Sequence, residues 1–201
     1  MTIELLNRIE DRTKEALAKP SSVSEITVKV STPYVGWIDV TLSASYGQSY
    51  TFNMSDVYDP LEDLRNLLEG WYGINGVKEI VIDCEHYRAV LSMQTFYMEH
   101  SNGGEFLGLL KCYDDKYSYE DNHNSDLMVV LVNYNKVAVD IYTALKNQIL
   151  NSEYNSEEWH INDLPDEVDD DDDPDKFRRY LYEKRVKSKY LEWIIKYRGR
   201  D

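Results

Sequence analysis

The sequence has few cysteines and no long apolar run, and each shortage excludes a class of protein. Cys84 and Cys112 are the only cysteines in 201 residues. Two cysteines cannot build a disulfide framework, so we expect a reducing compartment. No apolar run approaches the roughly 20 residues that a membrane-spanning helix needs, and the N-terminal residues 1–19 lack the apolar centre of a secretion signal. A cytoplasmic protein with no membrane partner is therefore expected.

Motifs for nucleophilic or phosphate chemistry are also missing. The chain has no G-x-S-x-G, no H-E-x-x-H, no G-x-x-x-x-G-K-[ST], and no Gly-rich loop that opens a helix after a strand. Paired carboxylates such as Asp83 with Glu85, or Asp56 with Asp59, are an alternative source of acid–base chemistry, with His86 close by in sequence. Because the chain carries 37 carboxylates, such pairs arise by chance. We predict no catalytic residues and a non-enzymatic protein.

Soft metal ligands are scarce. None of them shows the C-x₂-C or H-x₃-H spacing of a structural zinc site; the candidates are Cys84, His86, His100, Cys112, His123 and His160. Cys84 and His86 are expected on one strand face, which would begin a two-ligand site. The favoured interpretation is a buried thiol beside a boundary histidine, so we predict no metal and no cofactor.

Basic residues are fewer than acidic ones, and in the last fifty residues an acidic block is followed by a basic block. The formal net charge is −15. Residues 153–175 carry twelve carboxylates and no Lys or Arg, whereas residues 176–200 carry ten basic residues against two acidic ones. The overall acidity opposes binding to nucleic acids or anionic membranes and favours a basic protein partner.

The densest acidic run is the candidate element for steering such a partner. It comprises Asp169, Asp170, Asp171, Asp172 and Asp173. An EF-hand is excluded because Pro174 and Tyr180 occupy the loop positions that require Gly and Glu. Loose binding of a divalent cation stays open, but a solvated acidic linker over residues 152–175 is favoured.

Hydrophobic periodicity predicts an α+β fold with a mostly antiparallel sheet packed by two or three helices. The predicted order is a helix over residues 2–18, a three-stranded meander, a helix after Asp59-Pro60, three or four further strands, and a helix from Asn133 to about Leu150. We assign residues 1–151 to this domain and residues 176–201 to a basic amphipathic helix. Removing residues 153–201 is expected to leave a folded domain.

The C-terminal helix interleaves basic and aromatic residues, which leaves three interpretations open. It packs on its own domain, binds another protein, or grips single-stranded nucleic acid by phosphate contact and stacking. Packing on the domain is favoured because Phe177, Leu181 and Leu191 need burial.

Tyrosine is abundant, with seventeen copies beside four tryptophans. Such amphipathic rings are enriched at interface hot spots. The candidate partner contacts near turns and helix ends are Tyr34, Trp37, Trp71 and Tyr72, with Tyr58 in the same setting. The alternative is that tyrosine simply fills strand positions, where it is a favoured residue.

The central part of the chain resembles small bacterial domains of uncharacterised function, some of them similar to immunity proteins of polymorphic toxin systems. The resemblance is carried by YTFNMSDVYDPLEDLRNLLEGWYG (50–73), EIVIDCEHYRAVLSM (79–93), the helical segment 132–150 and Trp159. It covers about residues 22–160. It implies a non-enzymatic protein that binds another protein and blocks it.

These observations lead to two functional hypotheses. The first is a binding protein that occludes a basic partner stoichiometrically, as an immunity protein does, with an acidic surface that speeds association. The alternative is a nucleic-acid mimic whose carboxylates replace phosphates on a DNA-binding enzyme. A mimic needs carboxylates on rigid elements, and here the densest run falls in a predicted linker.

Overall fold

The computed structural model describes most of the chain: residues 2–18, 23–71, 76–100, 103–116, 127–151, 153–154, 159 and 174–198. It confirms the predicted α+β class. The strands form two antiparallel sheets, where the periodicity alone predicted one.

The first sheet is the predicted meander. Its strands are β1 (Ile26–Val30), β2 (Trp37–Ala44) and β3 (Ser49–Ser55), in the order β1-β2-β3. Apolar residues at every second position face the core, as in β2, where buried and half-buried residues alternate along the strand. The short connections between these strands allow only antiparallel neighbours.

The second sheet has four strands in the order β4-β5-β6-β7. These are β4 (Gly76–Asp83), β5 (Tyr87–His100), β6 (Gly103–Lys116) and β7 (Leu127–Val132). Strand β7 reads as a continuous apolar run because both of its faces are covered.

Helices α1 and α3 begin at side-chain caps, whereas α2 begins after Pro60 without one. The described helices are α1 (Ile3–Leu17), α2 (Leu61–Gly70), α3 (Tyr134–Ile149), α4 (Pro174–Leu181) and α5 (Lys189–Arg198). Asn133 caps α3 by accepting the backbone N–H of Lys136 on its side chain, and Thr2 caps α1 in the same way through Leu5. No described helix combines the length and the apolar content needed to cross a bilayer.

The main core lies between the two sheets and the helices α2 to α5. Helix α1 packs on the opposite face of the second sheet, where Leu5 is buried against Val90 and Tyr113. The four-stranded sheet is therefore the central layer of the molecule.

The C-terminal segment differs from the single helix predicted over residues 176–201. Helix α4 runs into a π-helical turn (Tyr182–Val186), the chain leaves helical geometry at Lys187, and Ser188 caps α5 by accepting the N–H of Leu191 at 2.9 Å. Side chains from all three pieces are buried in the main core: Phe177, Leu181, Tyr182, Val186, Leu191 and Ile194. The segment thus packs on its own domain.

A polar cluster with two buried tyrosines and a partly buried ion pair, here called the C-terminal seam, joins this segment to α3. It consists of Tyr142, Lys146, Tyr182 and Glu192. One oxygen of Glu192 accepts hydrogen bonds from Lys146 Nζ (2.5 Å), Tyr182 OH (2.5 Å) and Tyr142 OH (2.9 Å). Burial opposes ionisation of Glu192, but these donors outweigh it and lower the pKa of its carboxyl. Burial likewise raises the pKa of Tyr142 to about 12, so that this hydroxyl remains a donor at neutral pH.

Candidate interaction surface

Three connections meet at one end of the molecule and form what we call the three-loop surface. They are the β1–β2 loop (31–36), the β3–α2 loop (56–60) and the β4–β5 turn (84–86). None of these segments contains Lys or Arg. The surface draws on both sheets, which the sequence order of the strands does not reveal.

Specific contacts hold the three segments together. The register of the first sheet pairs Trp37 with Ser55, which places the first two loops side by side. The backbone N–H of Asp56 donates to the carbonyl of Gly36 at 3.0 Å. The hydroxyl of Ser55 donates to Oε1 of Glu85 at 2.8 Å, which ties the turn of the second sheet to the first.

Backbone strain concentrates on this surface. Val35, Asp59 and Glu85 have φ angles of 45°, 35° and 63°, and they are the non-glycine residues with positive φ among the described part of the chain. A β-branched residue such as Val35 is an outlier in this region. Gly36 follows at φ 79°, and a Cβ there would lie 2.8 Å from Oδ1 of Asp56. Strained residues of this kind cluster at functional sites.

Large apolar side chains project from the first two loops. Tyr34, Val35, Val57 and Tyr58 are between 45% and 77% exposed. Trp37 is half-buried beneath them. Four exposed apolar or aromatic side chains on two adjoining loops form a patch of the kind that marks protein–protein contact.

Carboxylates lie on the three loops and at the strand ends beside them. They belong to Asp39, Asp56, Asp59, Asp83 and Glu85. Two cations adjoin them: Arg185 of the π-helical turn, whose Nε lies 3.2 Å from Oδ2 of Asp59, and Arg88, which pairs with Asp83 in the register of the second sheet. Despite the ion pair with Arg185, burial raises the pKa of Asp59 above its usual value. The loops of this surface thus carry exposed apolar side chains together with carboxylates, and they contain no Lys or Arg.

A hydrogen-bonded row beneath the patch holds Tyr34 in place. Tyr34 OH donates to Oδ1 of Asp39 at 3.0 Å, and the same oxygen accepts from Nδ2 of Asn53 at 2.5 Å. Tyr87 OH donates to Oδ1 of Asn53 at 2.8 Å. A ring held this way loses little conformational entropy when it binds, since its orientation is already set.

The carboxylates of Asp83 and Glu85, considered above for acid–base chemistry, accept hydrogen bonds that stabilise the β4–β5 turn. Oδ1 of Asp83 accepts the backbone N–H of Glu85 at 2.9 Å, and Glu85 accepts from Ser55. The two carboxylates do not lie on one strand face, because the chain turns at Cys84 and Glu85 belongs to the turn. Burial raises the pKa of the Cys84 thiol, which keeps it protonated at neutral pH.

The expectation that Cys84 and His86 share one strand face is wrong for the same reason. Cys84 is buried whereas His86 is exposed in the turn. Cys112 is also buried, and burial raises the pKa of its thiol. Over the described ranges, no three His, Cys, Asp or Glu side chains lie close enough to hold a metal ion.

The predicted partner contacts divide into three groups. Tyr34 and Trp37 lie on the three-loop surface. Trp71 is buried in the main core at the end of α2, so its ring is not accessible to a partner. Tyr72 and the five aspartates Asp169 to Asp173 lie outside the described residues.

A cavity of about 450 Å³ opens elsewhere, between α1, β7 and the β2–β3 turn. Its wall includes Arg12 and Glu15, which pair with each other at 3.3 Å. Gln48, also in the wall, bonds the backbone of Val129 through both ends of its amide. The charged and amide groups of this wall are thus engaged with one another and with the backbone.

Sequence reasoning missed Val35, Val57 and the contribution of the β4–β5 turn. Val35 stands between Tyr34 and Gly36, and an apolar residue beside a turn glycine was a signal of exposure. Nothing in the sequence indicated that Ser55 and Glu85 would meet, because they belong to different sheets.

Comparison of the chain with protein-family models, with curated proteins and with solved structures gives no match. The resemblance to immunity proteins therefore stays a prediction from the residues quoted above.

Proposed function

We propose that this protein binds a basic protein through the three-loop surface and blocks it by stoichiometric occlusion, as an immunity protein does. The observation that carries the proposal is the exposed group Tyr34, Val35, Val57 and Tyr58 on two adjoining loops that contain aspartates and no Lys or Arg. Aromatic anchors surrounded by polar groups are the usual composition of a binding hot spot.

Electrostatics support a basic partner. The net charge of −15 attracts a cationic protein over distances of about one Debye length, roughly 8–10 Å at physiological salt. Such steering raises the association rate more than it raises affinity. Asp169 to Asp173 would add to it, since they form the densest acidic run of the chain.

The chemistry of the surface supports binding over catalysis. The thiol beneath it is protonated, and the turn carboxylates accept hydrogen bonds that hold the loops. The surface is preorganised for binding, since Tyr34 is already oriented and the backbone at Val35 is already held in a strained conformation. The conformational entropy of these groups is therefore lost on folding and not again on binding.

The experiment compares two matched variants in affinity capture from a lysate of the source cells. Tyr58 and Tyr197 are both 54% exposed, but Tyr197 lies on α5, away from the three-loop surface. We expect wild type and Tyr197→Ala to capture the same basic protein, with recovery that falls as salt rises. Tyr58→Ala should weaken the purified complex by about 10- to 30-fold, the usual effect of truncating a hot-spot aromatic.

Kinetics and activity complete the test. Replacing Asp169 to Asp173 with asparagine should lower the association rate and leave the dissociation rate unchanged. The activity of the captured protein should fall to zero at one equivalent of this chain. Equal binding by Tyr58→Ala and wild type would refute the assignment of the surface. Displacement of the partner by duplex DNA would favour the nucleic-acid mimic instead.

A further inference from the structure

The two edges of the four-stranded sheet differ in how they are covered. At β7 the edge is occupied: Ser24 N–H donates to the carbonyl of Leu131 at 2.7 Å, and the Gln48 amide bonds Val129 N–H and C=O at 3.1 and 3.4 Å. At β4, in the part of the chain that the structure describes, the strand has a hydrogen-bonded neighbour on one side only, which is β5.

The hairpin geometry identifies which backbone groups of β4 point away from β5. Cys84 N–H donates to the carbonyl of Tyr87 at 2.9 Å, so this pair is hydrogen-bonded. In an antiparallel ladder, hydrogen-bonded and non-hydrogen-bonded pairs alternate. Counting back along the register, the N–H and C=O groups of Val77, Glu79 and Val81 point away from β5 to the open edge.

The side chains of the same three residues share one face of the sheet, because they lie two residues apart. Val77 and Val81 are 59% and 50% exposed, and Glu79 between them is exposed as well. This edge thus offers three backbone positions that no described strand pairs with, together with an apolar–acidic–apolar row. Free strand edges of this kind are templates for pairing with another chain.

We propose that the basic partner adds an extended segment to the β4 edge, with a basic side chain opposite Glu79 flanked by two apolar side chains. This inference rests on the proposed function and specifies how the partner binds. Strand β4 ends at Asp83, immediately before the β4–β5 turn of the three-loop surface, so one partner can cover both. Main-chain hydrogen bonds supply affinity in such strand addition, and side chains at alternate positions supply specificity.

A second copy of this chain fits the edge poorly. A symmetric antiparallel pairing of two β4 strands that brings Val77 opposite Val81 also brings Glu79 opposite Glu79 of the other copy. Like charges directly opposite each other destabilise a strand pair. The acidic residue at the centre of the row therefore selects for a different, basic strand.

The test uses two synthetic peptides as probes: acetyl-Thr-Val-Thr-Lys-Thr-Val-Thr-amide and the same peptide with Glu in place of Lys. The order of side chains is the same from either end of each peptide. The central residue can therefore lie opposite Glu79 in parallel and in antiparallel addition. We expect the Lys peptide to bind the full chain about five- to tenfold more tightly than the Glu peptide. Amide exchange followed by NMR should slow at Val77, Glu79 and Val81.

Two variants check that the peptide occupies this edge. Glu79→Lys should reverse the preference between the two peptides, which a loss of folding cannot do. Val81→Pro removes an N–H that points outward, so the strand should still form, as circular dichroism would show, while peptide binding is lost. Absence of binding, protection at other amides, or a peptide preference that Glu79→Lys leaves unchanged would overturn the inference. So would a concentration-dependent dimer in sedimentation that shields these amides.

The outcomes separate this inference from the proposed function. If the captured partner is weakened by Tyr58→Ala but binds Val81→Pro as well as wild type, the three-loop surface stands and strand addition is wrong. If the peptides bind as expected and Tyr58→Ala has no effect on the partner, the edge stands and the assignment of the three-loop surface is wrong.

Discussion

The C-terminal seam and the three-loop surface are built from the same side chains, tyrosines and carboxylates, but in opposite ways. In the seam, Glu192 lies inward and its oxygen accepts from two tyrosine hydroxyls and Lys146. At the three-loop surface, Tyr58 and its apolar neighbours face solvent above a strained backbone. Hydrogen-bonded polar groups stabilise a fold. Exposed rings on strained loops gain favourable free energy only when a binding partner buries them.

From this difference we predict that the C-terminal segment, which the seam joins to α3, supplies much of the free energy of folding. Removing residues 153–201 should abolish cooperative thermal unfolding followed by circular dichroism, contrary to the expectation from the sequence. The six apolar or aromatic side chains that leave the core with α4, the π-helical turn and α5 are worth about 1.5–3 kcal/mol each. Their sum is comparable with the whole stability of a domain, about 5–15 kcal/mol.

A single substitution gives a finer measure of the same effect. Phe177→Ala should lower the free energy of unfolding by about 3–5 kcal/mol, and Val57→Ala on the three-loop surface by less than about 0.5 kcal/mol. A cooperative melt of the truncated chain would show instead that residues 1–151 form a core by themselves, as the sequence pattern alone suggested.

The polar part of the seam should have a smaller, pH-dependent effect. Glu192→Gln removes the charge from three hydrogen bonds and should cost about 1–3 kcal/mol at pH 7. Because the folded pKa of Glu192 lies below its usual value of 4.5, the stabilisation is present above that pH and is lost as the pH falls through the folded pKa. Urea unfolding at pH 7, 5 and 3 should show the two proteins converge, and a constant difference across this range would contradict the assignment.

The smallest expected effect lies on the three-loop surface and has the opposite sign. Val35→Gly relieves a β-branched residue held at φ 45° and should raise the free energy of unfolding by about 0.5–1 kcal/mol, since the side chain is exposed and little burial is lost. The same change should weaken partner binding in the capture assay. A loss of stability would show that the Val35 side chain supports the fold.

The sequence predicted helices and strands well where short-range patterns determine them and strands pair with their neighbours in sequence. Alternation in residues 26–54 predicted β1 to β3, and Asn133 marked the start of α3. The break at Lys187 and Ser188 was missed because neither residue is a Pro or Gly, and the two-sheet arrangement was missed because strand periodicity does not encode which strands pair. The position of Trp71 near a helix end predicted a partner contact, but the packing of α2 buries its side chain.

Composition and periodicity by themselves determined the acidic charge, the α+β class and the amphipathic faces, since these follow from residue type and near-neighbour spacing. Only tertiary structure decided that Ser55 meets Glu85, that the basic C-terminal segment completes the core, and that the β7 edge is covered while β4 has a single neighbouring strand among the described residues. Each of these depends on contacts between residues far apart in the chain, and such contacts form only when the whole core packs.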